Sequence, residues 1–235
     1  MQTVKALIFD VFGTLVDWRT SIARESRLAL EPLGVQLEWG AFADAWRDQY
    51  QPAMEEVRSG RMPFSKLDVL HRRNLDVILE QFGLRGVDEA TRVHLNLAWH
   101  RLDAWPEVAA GLTRLRACYR LAPCSNGNIS LMVDLARRNS FPWDAILGAE
   151  VARDYKPKPI VYLSAAAAFD CAPAETMMVA AHSSDLAAAA AAGLRTAFIS
   201  RPDEQGPGRG ERSASVPVDV TAGGLTELAD LLACS

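Results

Sequence analysis

Five short apolar runs decide what this chain can fold into. They read VKALIF (4–9), YRLAPC (119–124), AILGAE (145–150), TMMVAA (176–181) and RTAFIS (195–200). None alternates apolar with polar residues, so each fits a strand buried on both faces of a sheet. PVDV (217–220) is a candidate sixth strand. Helical stretches lie between the runs, at 106–117, 129–138, 159–169 and 185–192. The last includes the low-complexity run AAAAAA, which is good helix-forming sequence, and Gly193 suits the position just past its end. Strand alternating with helix predicts an α/β fold with a Rossmann-like, doubly wound parallel sheet.

Residues 18–104 break that rhythm. They hold amphipathic segments at 20–31, 40–58, 63–82 and 88–101 and no convincing strand. This predicts a core made of 1–17 and 105–235, with 18–104 inserted after the first strand as a helical cap. A chain of 235 residues is long enough to bury a core of that size. Residues 202–214, PDEQGPGRGERSA, read as a charged, Pro/Gly-rich surface loop.

Composition excludes several classes. The 25 basic and 29 acidic residues give a net charge of −4, which argues against a nucleic-acid partner. A small anionic substrate therefore needs locally placed cations. No apolar run is long enough to span a bilayer, and no signal peptide precedes Asp10, so a cytoplasmic location is expected. Cys118, Cys124, Cys171 and Cys234 have no C-x-x-C spacing and read as reduced thiols. His71, His94 and His100 show no metal-ligand spacing.

Ligands of open parallel sheets bind beyond the carboxyl ends of the strands. Asp10 follows the first run, Ser125 and Asn126 the second, Lys156 lies in the loop after the third, and Asp185 follows the fourth. Five chemically active side chains thus converge on one crevice.

The stretches FDVFGTLVD, CSNG, YKPKP and MMVAAHSSDLAAAAAAG, in this order, resemble the four motifs of the haloacid dehalogenase superfamily. The resemblance spans nearly the whole chain. It implies a Rossmann-like core with a helical cap, Asp10 as nucleophile, and Ser125, Lys156 and Asp185 as its catalytic companions. Many superfamily members are magnesium-dependent phosphatases, which carry an aspartate two residues after the nucleophile to protonate the leaving alkoxide. Here that residue is Phe12, and the position of a further acid in the fourth motif is Ala181. Magnesium wants several carboxylate oxygens in octahedral array. The departures point to a leaving group that needs neither acid nor metal, such as a halide, and no cofactor is expected.

The resemblance thereby narrows to the (S)-2-haloacid dehalogenases. It implies that AWRDQY carries a halide-contacting Arg47, with Asn126 beside it, and that Tyr162 belongs to the site. Thr14 supports the first loop, while Ser125 and the peptide N–H groups after Asp10, at Val11 and Phe12, hold the substrate carboxylate. Trp18 and Trp46 are candidates for the apolar wall. The expected reaction opens with attack of Asp10 on Cα of a short 2-haloalkanoic acid. The resulting aspartyl ester is then hydrolysed to the 2-hydroxyacid. Lys156 keeps Asp10 ionised; Asp185 orients that lysine or activates water.

Each assignment has a plainer alternative. Asp10 can be a turn residue at a strand end, Lys158 competes with Lys156, and Arg47 can be a solvated helix cation. His182 stands where these dehalogenases often have asparagine. It fits a site role, including a tighter halogen pocket, or a satisfied loop histidine. Ser184 is the better N-cap candidate for a helix beginning at Asp185. A same-fold phosphatase, a hydrolase opening a small strained carboxylic acid, and a non-enzymatic acid-binding module are the rival functions. A homodimer is a family-level expectation.

Overall fold

The computed structural model describes residues 3–234. The chain runs β1 (Ala6–Phe9), β2 (Val16–Asp17), α1 (Trp18–Leu30), α2 (Trp39–Asp48), α3 (Tyr50–Arg58), α4 (Leu67–Gln81), α5 (Glu89–Asn96) and β3 (Asp103–Ala104). It continues through α6 (Val108–Arg116), β4 (Arg120–Ser125), α7 (Ile129–Asn139), β5 (Leu147–Gly148), α8 (Ala149–Ala152) and α9 (Pro159–Ala168). The last elements are β6 (Thr176–Ala180), α10 (Ser183–Ala191), β7 (Arg195–Ile199), β8 (Val220–Ala222) and α11 (Leu225–Leu231).

Six strands form one parallel sheet in the order β5-β4-β1-β6-β7-β8. β1 is central, with Leu7 opposite Leu121 on one side and Met177 on the other. Its unbroken apolar run has a direct cause. Leu7 and Phe9 point into a cluster with α6, α7 and α11, while Ala6 and Ile8 point into a second cluster with α9 and α10. Both faces are covered, so neither can carry polar residues. The strand order reverses around β1, which puts Asp10 at the switch point of the sheet.

The structure departs from the expectation in several places; of the 145–150 run only Leu147–Gly148 is strand, and Ala149–Ala152 is already helix. The sixth strand lies at 220–222 and not at 217–220, because Ala197–Ile199 pair with Val220–Ala222. The 40–58 segment is two helices, broken at Gln49. The 88–101 segment finishes as a tighter 3-10 turn at Leu97–Arg101. A two-residue antiparallel ribbon of β2 and β3 ties the start of the helical insertion to its end. Cys118 and Cys234 are paired, with Cα atoms 6.1 Å apart, which corrects the reading of four reduced thiols. They lie 116 residues apart, and only the packing of α11 on α6 brings them together.

The helical insertion is tied to the sheet domain near the site. His100 bridges Asp134 of α7 through Nδ1 (2.7 Å) and Asp68 of α4 through Nε2 (3.1 Å). Arg58 of α3 donates to the carbonyl of Lys156 at 2.8 Å. Among the described residues, no helix is long and apolar enough to cross a membrane.

Candidate active site

Asp10 leaves β1 with its N–H donating to Val179 O at 3.0 Å. The chain then turns tightly: Gly13 has φ +84°, a left-handed conformation that glycine adopts without strain. That turn points Thr14 back under the carboxylate. Thr14 Oγ1 donates to Asp10 Oδ2 at 2.8 Å and accepts from the Ala181 N–H at 2.9 Å, so it ties β1 to the end of β6. Among the described residues, the peptide N–H groups of Val11 and Phe12 have no backbone acceptor.

Lys156 is the lysine that pairs with Asp10, and among the described residues Lys158 forms no ion pair with it. Lys156 Nζ donates to Asp10 Oδ1 at 2.8 Å and also to Asp185 Oδ2. Tyr162 of α9 donates to the other oxygen of Asp185 at 2.5 Å. Asp10 and Lys156 are buried, and burial alone favours their neutral forms. Lys156 and His182 reverse this for Asp10, whose carboxyl is held well below the usual carboxylate range. Burial likewise opposes the Lys156 charge, but Asp10 and Asp185 raise its pKa well above the ordinary value.

A cavity of about 990 Å³ opens over this cluster. Asp10, Trp18, Arg47, Tyr50, Asn126 and Lys156 are among its lining residues, and His182, Asp185 and Glu204 join them. The Arg47 guanidinium stands over an aromatic cage, 4.0 Å from the Tyr50 ring, 5.3 Å from Trp18 and 5.7 Å from Phe12. Its Nη1 is buried and has no hydrogen-bond partner among the described residues. Asn126 Oδ1 accepts from the Lys156 N–H at 2.9 Å, which leaves its amide NH2 as the donating end.

Not every expected residue reaches the cavity. Ser125 is fully buried behind it, its Oγ accepting from the Gly127 N–H at 3.0 Å. Trp46 is buried among Phe42, His71 and Trp99 and does not line the cavity; its Nε1 donates to His71 O. Tyr162 acts on Asp185 from behind. Helix α10 starts at Ser183, with His182 at the cap position, so Ser184 is no N-cap; Glu211 accepts from the Ser183 N–H instead.

Sequence reasoning missed Glu204 altogether. The 202–214 loop is not wholly on the surface: Glu204 is 3% exposed. Its Oε1 accepts from Trp18 Nε1 at 2.9 Å and its Oε2 faces His182 Nε2 at 2.9 Å. His182 Nδ1 in turn faces Asp10 Oδ2 at 3.1 Å. Nothing in the sequence separates Glu204 from its acidic loop neighbours Asp203 and Glu211. Tyr50 was also missed, although it follows Arg47 by one helical turn, a spacing that puts two residues on one face.

A family profile for haloacid dehalogenase-like hydrolases matches residues 4–193. The chain belongs to this family. Two solved structures lie near this hydrolase. One is a defluorinating L-2-haloacid dehalogenase, 43% identical, with a TM-score of 0.95 over 98% of this chain and 95% of that one. Another L-2-haloacid dehalogenase is 46% identical, with a TM-score of 0.94 over 99% of this chain and 100% of that one. The (S)-2-haloacid dehalogenase 1 of Pseudomonas sp. (strain CBS-3) is 28% identical over 205 residues, 86% of each chain.

Some proteins with this fold hold magnesium, as the YfnB hydrolase of Bacillus subtilis does. The donor set of this haloacid dehalogenase-like hydrolase does not fit a divalent cation. Both oxygens of Asp10 and both of Asp185 are engaged by protein donors. Two further positions, Phe12 and Ala181, offer no side-chain oxygen. A cation at Asp10 would also lie against the Lys156 ammonium.

Proposed function

We propose that this chain hydrolyses short 2-haloalkanoic acids to 2-hydroxyacids through an ester on Asp10, without a metal. One observation carries the reading. An ionised carboxylate and an uncommitted, aromatic-caged guanidinium line the same cavity, and no proton donor stands where a phosphatase needs one. Lys156 and Arg47 supply the positive charge that an anionic substrate requires of an acidic chain. The L-2-haloacid dehalogenases at 43% and 46% identity support the same reaction.

The substrate carboxylate binds the free N–H groups of Val11 and Phe12. Asp10 Oδ1 accepts one hydrogen bond and Oδ2 two, so Oδ1 keeps the more available lone pair and attacks Cα. The Cα–halogen bond breaks on the far side, and the halide leaves toward Arg47 and the Asn126 amide. Water then adds to the Asp10 Cγ with Asp185 taking its proton. Lys156, 2.8 Å from Oδ1, protonates the departing alkoxide. The helical insertion, 18–104, works as a cap that contributes Trp18, Arg47 and Tyr50.

The test is halide release from chloroacetate, fluoroacetate and both enantiomers of 2-chloropropionate, with and without EDTA. Release that survives chelation and prefers the (S) enantiomer is expected. Activity that is lost on chelation and restored by magnesium, or phosphate release from an aryl phosphate in its place, overturns the reading.

A further inference from the structure

Once Asp10 Oδ1 is esterified, Oδ2 becomes the carbonyl oxygen, and negative charge gathers there when water attacks. Two donors already point at Oδ2: Thr14 Oγ1 at 2.8 Å and His182 Nδ1 at 3.1 Å. We propose that His182, clamped between Asp10 and Glu204, is a catalytic residue of the second half-reaction. It stabilises the oxyanion formed on Oδ2, and Glu204 positions it. The proposal rests on the ester mechanism above.

The geometry leaves His182 few other roles. Both ring nitrogens face carboxylate oxygens, and each contact needs an N–H. A ring holding both protons has no lone pair with which to activate water, so it acts as a donor. Burial disfavours the imidazolium, yet Asp10 and Glu204 outweigh burial and push its pKa up to about 10. Other charged groups stand further off: Lys156 on the opposite oxygen of Asp10, Arg47 near Glu204, and Glu211 at Ser183.

Glu204 is built into this arrangement. A buried carboxylate is costly unless paired, and its partners here are His182 and the Trp18 indole. Gly13 makes room for it: a Cβ at that position would overlap the Glu204 carboxyl group.

The step balances as follows. The water oxygen bonds to Cγ, one water proton passes to Asp185, and the carbonyl pair moves onto Oδ2 beside the imidazolium. The pair then re-forms the carbonyl, the Cγ–Oδ1 bond breaks, and the alkoxide takes a proton from Lys156, which recovers it from Asp185. The second water proton leaves the restored, strongly acidic Asp10 carboxyl for solvent.

Rapid-quench single turnovers with (S)-2-chloropropionate, read by halide release and by the mass of the Asp10 peptide, test this. His182→Leu, which keeps bulk but has no donor, should slow halide release far less than ester decay, which should fall about 10²- to 10³-fold, the usual loss for one oxyanion donor. Glu204→Gln should also accumulate ester. Its decay should begin to slow at a lower pH than in wild type, because esterification has already removed the Asp10 charge and Glu204 is then the carboxylate that holds the imidazolium. A merely structural role would not move that profile. Ester decay at the wild-type rate in both variants, or equal loss of both half-reactions, overturns the proposal. If solvent oxygen never enters Asp10 of the wild-type enzyme over repeated turnovers, the ester mechanism itself fails, and this proposal with it.

Discussion

Replacing Arg47 with methionine keeps the length of the side chain and removes its charge and donors. A halide in contact with the guanidinium lies about 4 Å from the charge centre, where a full ion pair at an effective dielectric of about 20 is worth about 4 kcal/mol. With about half the charge developed in the displacement transition state, the loss is about 2 kcal/mol, or roughly thirtyfold in rate. Loss of directed hydrogen bonding carries the upper end toward about 10³. The charge is absent from the bound haloacid's carbon–halogen bond, so the effect belongs in the rate and not in substrate affinity. Single-turnover halide release measures it directly. The deficit should be larger for chloride than for bromide, which needs less help to leave. Ester decay should not change, and no ester should accumulate, the reverse of the His182 variant. Folding should survive, because the substitution removes a buried nitrogen that has no partner among the described residues. Arg47→Lys should fall between: it keeps the charge but gives up the planar stacking over Tyr50, Trp18 and Phe12. Undiminished halide release by Arg47→Met would refute the reasoning and make Arg47 a packing residue of the cap.

In 18O-water, the hydroxyacid of the first turnover should be unlabelled, the Asp10 peptide should gain label, and an (S)-2-haloacid should give the (R)-2-hydroxyacid; a labelled first product would mean that water attacks Cα. Gly13→Ala should lower the melting temperature and accumulate ester as Glu204→Gln does, since its Cβ meets the Glu204 carboxyl and φ is +84°; unaltered ester decay would separate Gly13 from Glu204. The His182 pKa of about 10 lies above its value of about 6.5 in the unfolded chain, so its stabilisation is complete below about pH 6.5 and disappears as pH climbs toward 10. Chemical denaturation between pH 7 and 10 should therefore show a steeper loss of stability in wild type than in His182→Gln; parallel curves would place the proton elsewhere.

Much of this site was legible in the sequence because each part of it is local. A strand buried on both faces must read as an unbroken apolar run, and the residue after such a run is placed by the sheet itself. Asp10, Asn126 and Asp185 are fixed in this way, and Lys156 follows in the next loop. The absence of an acid at Phe12 and Ala181 is equally a matter of reading positions. Tertiary structure decided what lies between distant segments. Glu204 sits 186 residues from the Trp18 indole that holds it, in a loop whose composition says only that it turns. No periodicity marks the one acid there that is buried. Trp46 and Trp18 look alike as cap tryptophans. Packing sends Trp46 into the helical core and Trp18 to the cavity wall, since only one face of each helix meets the sheet domain. His182 shows the division best. Its position after β6 put it at the site, but whether it would be a neutral loop residue or a cation depended on two carboxylates. One of them was adjacent by sheet order, and the other was delivered by a loop that no local signal could aim.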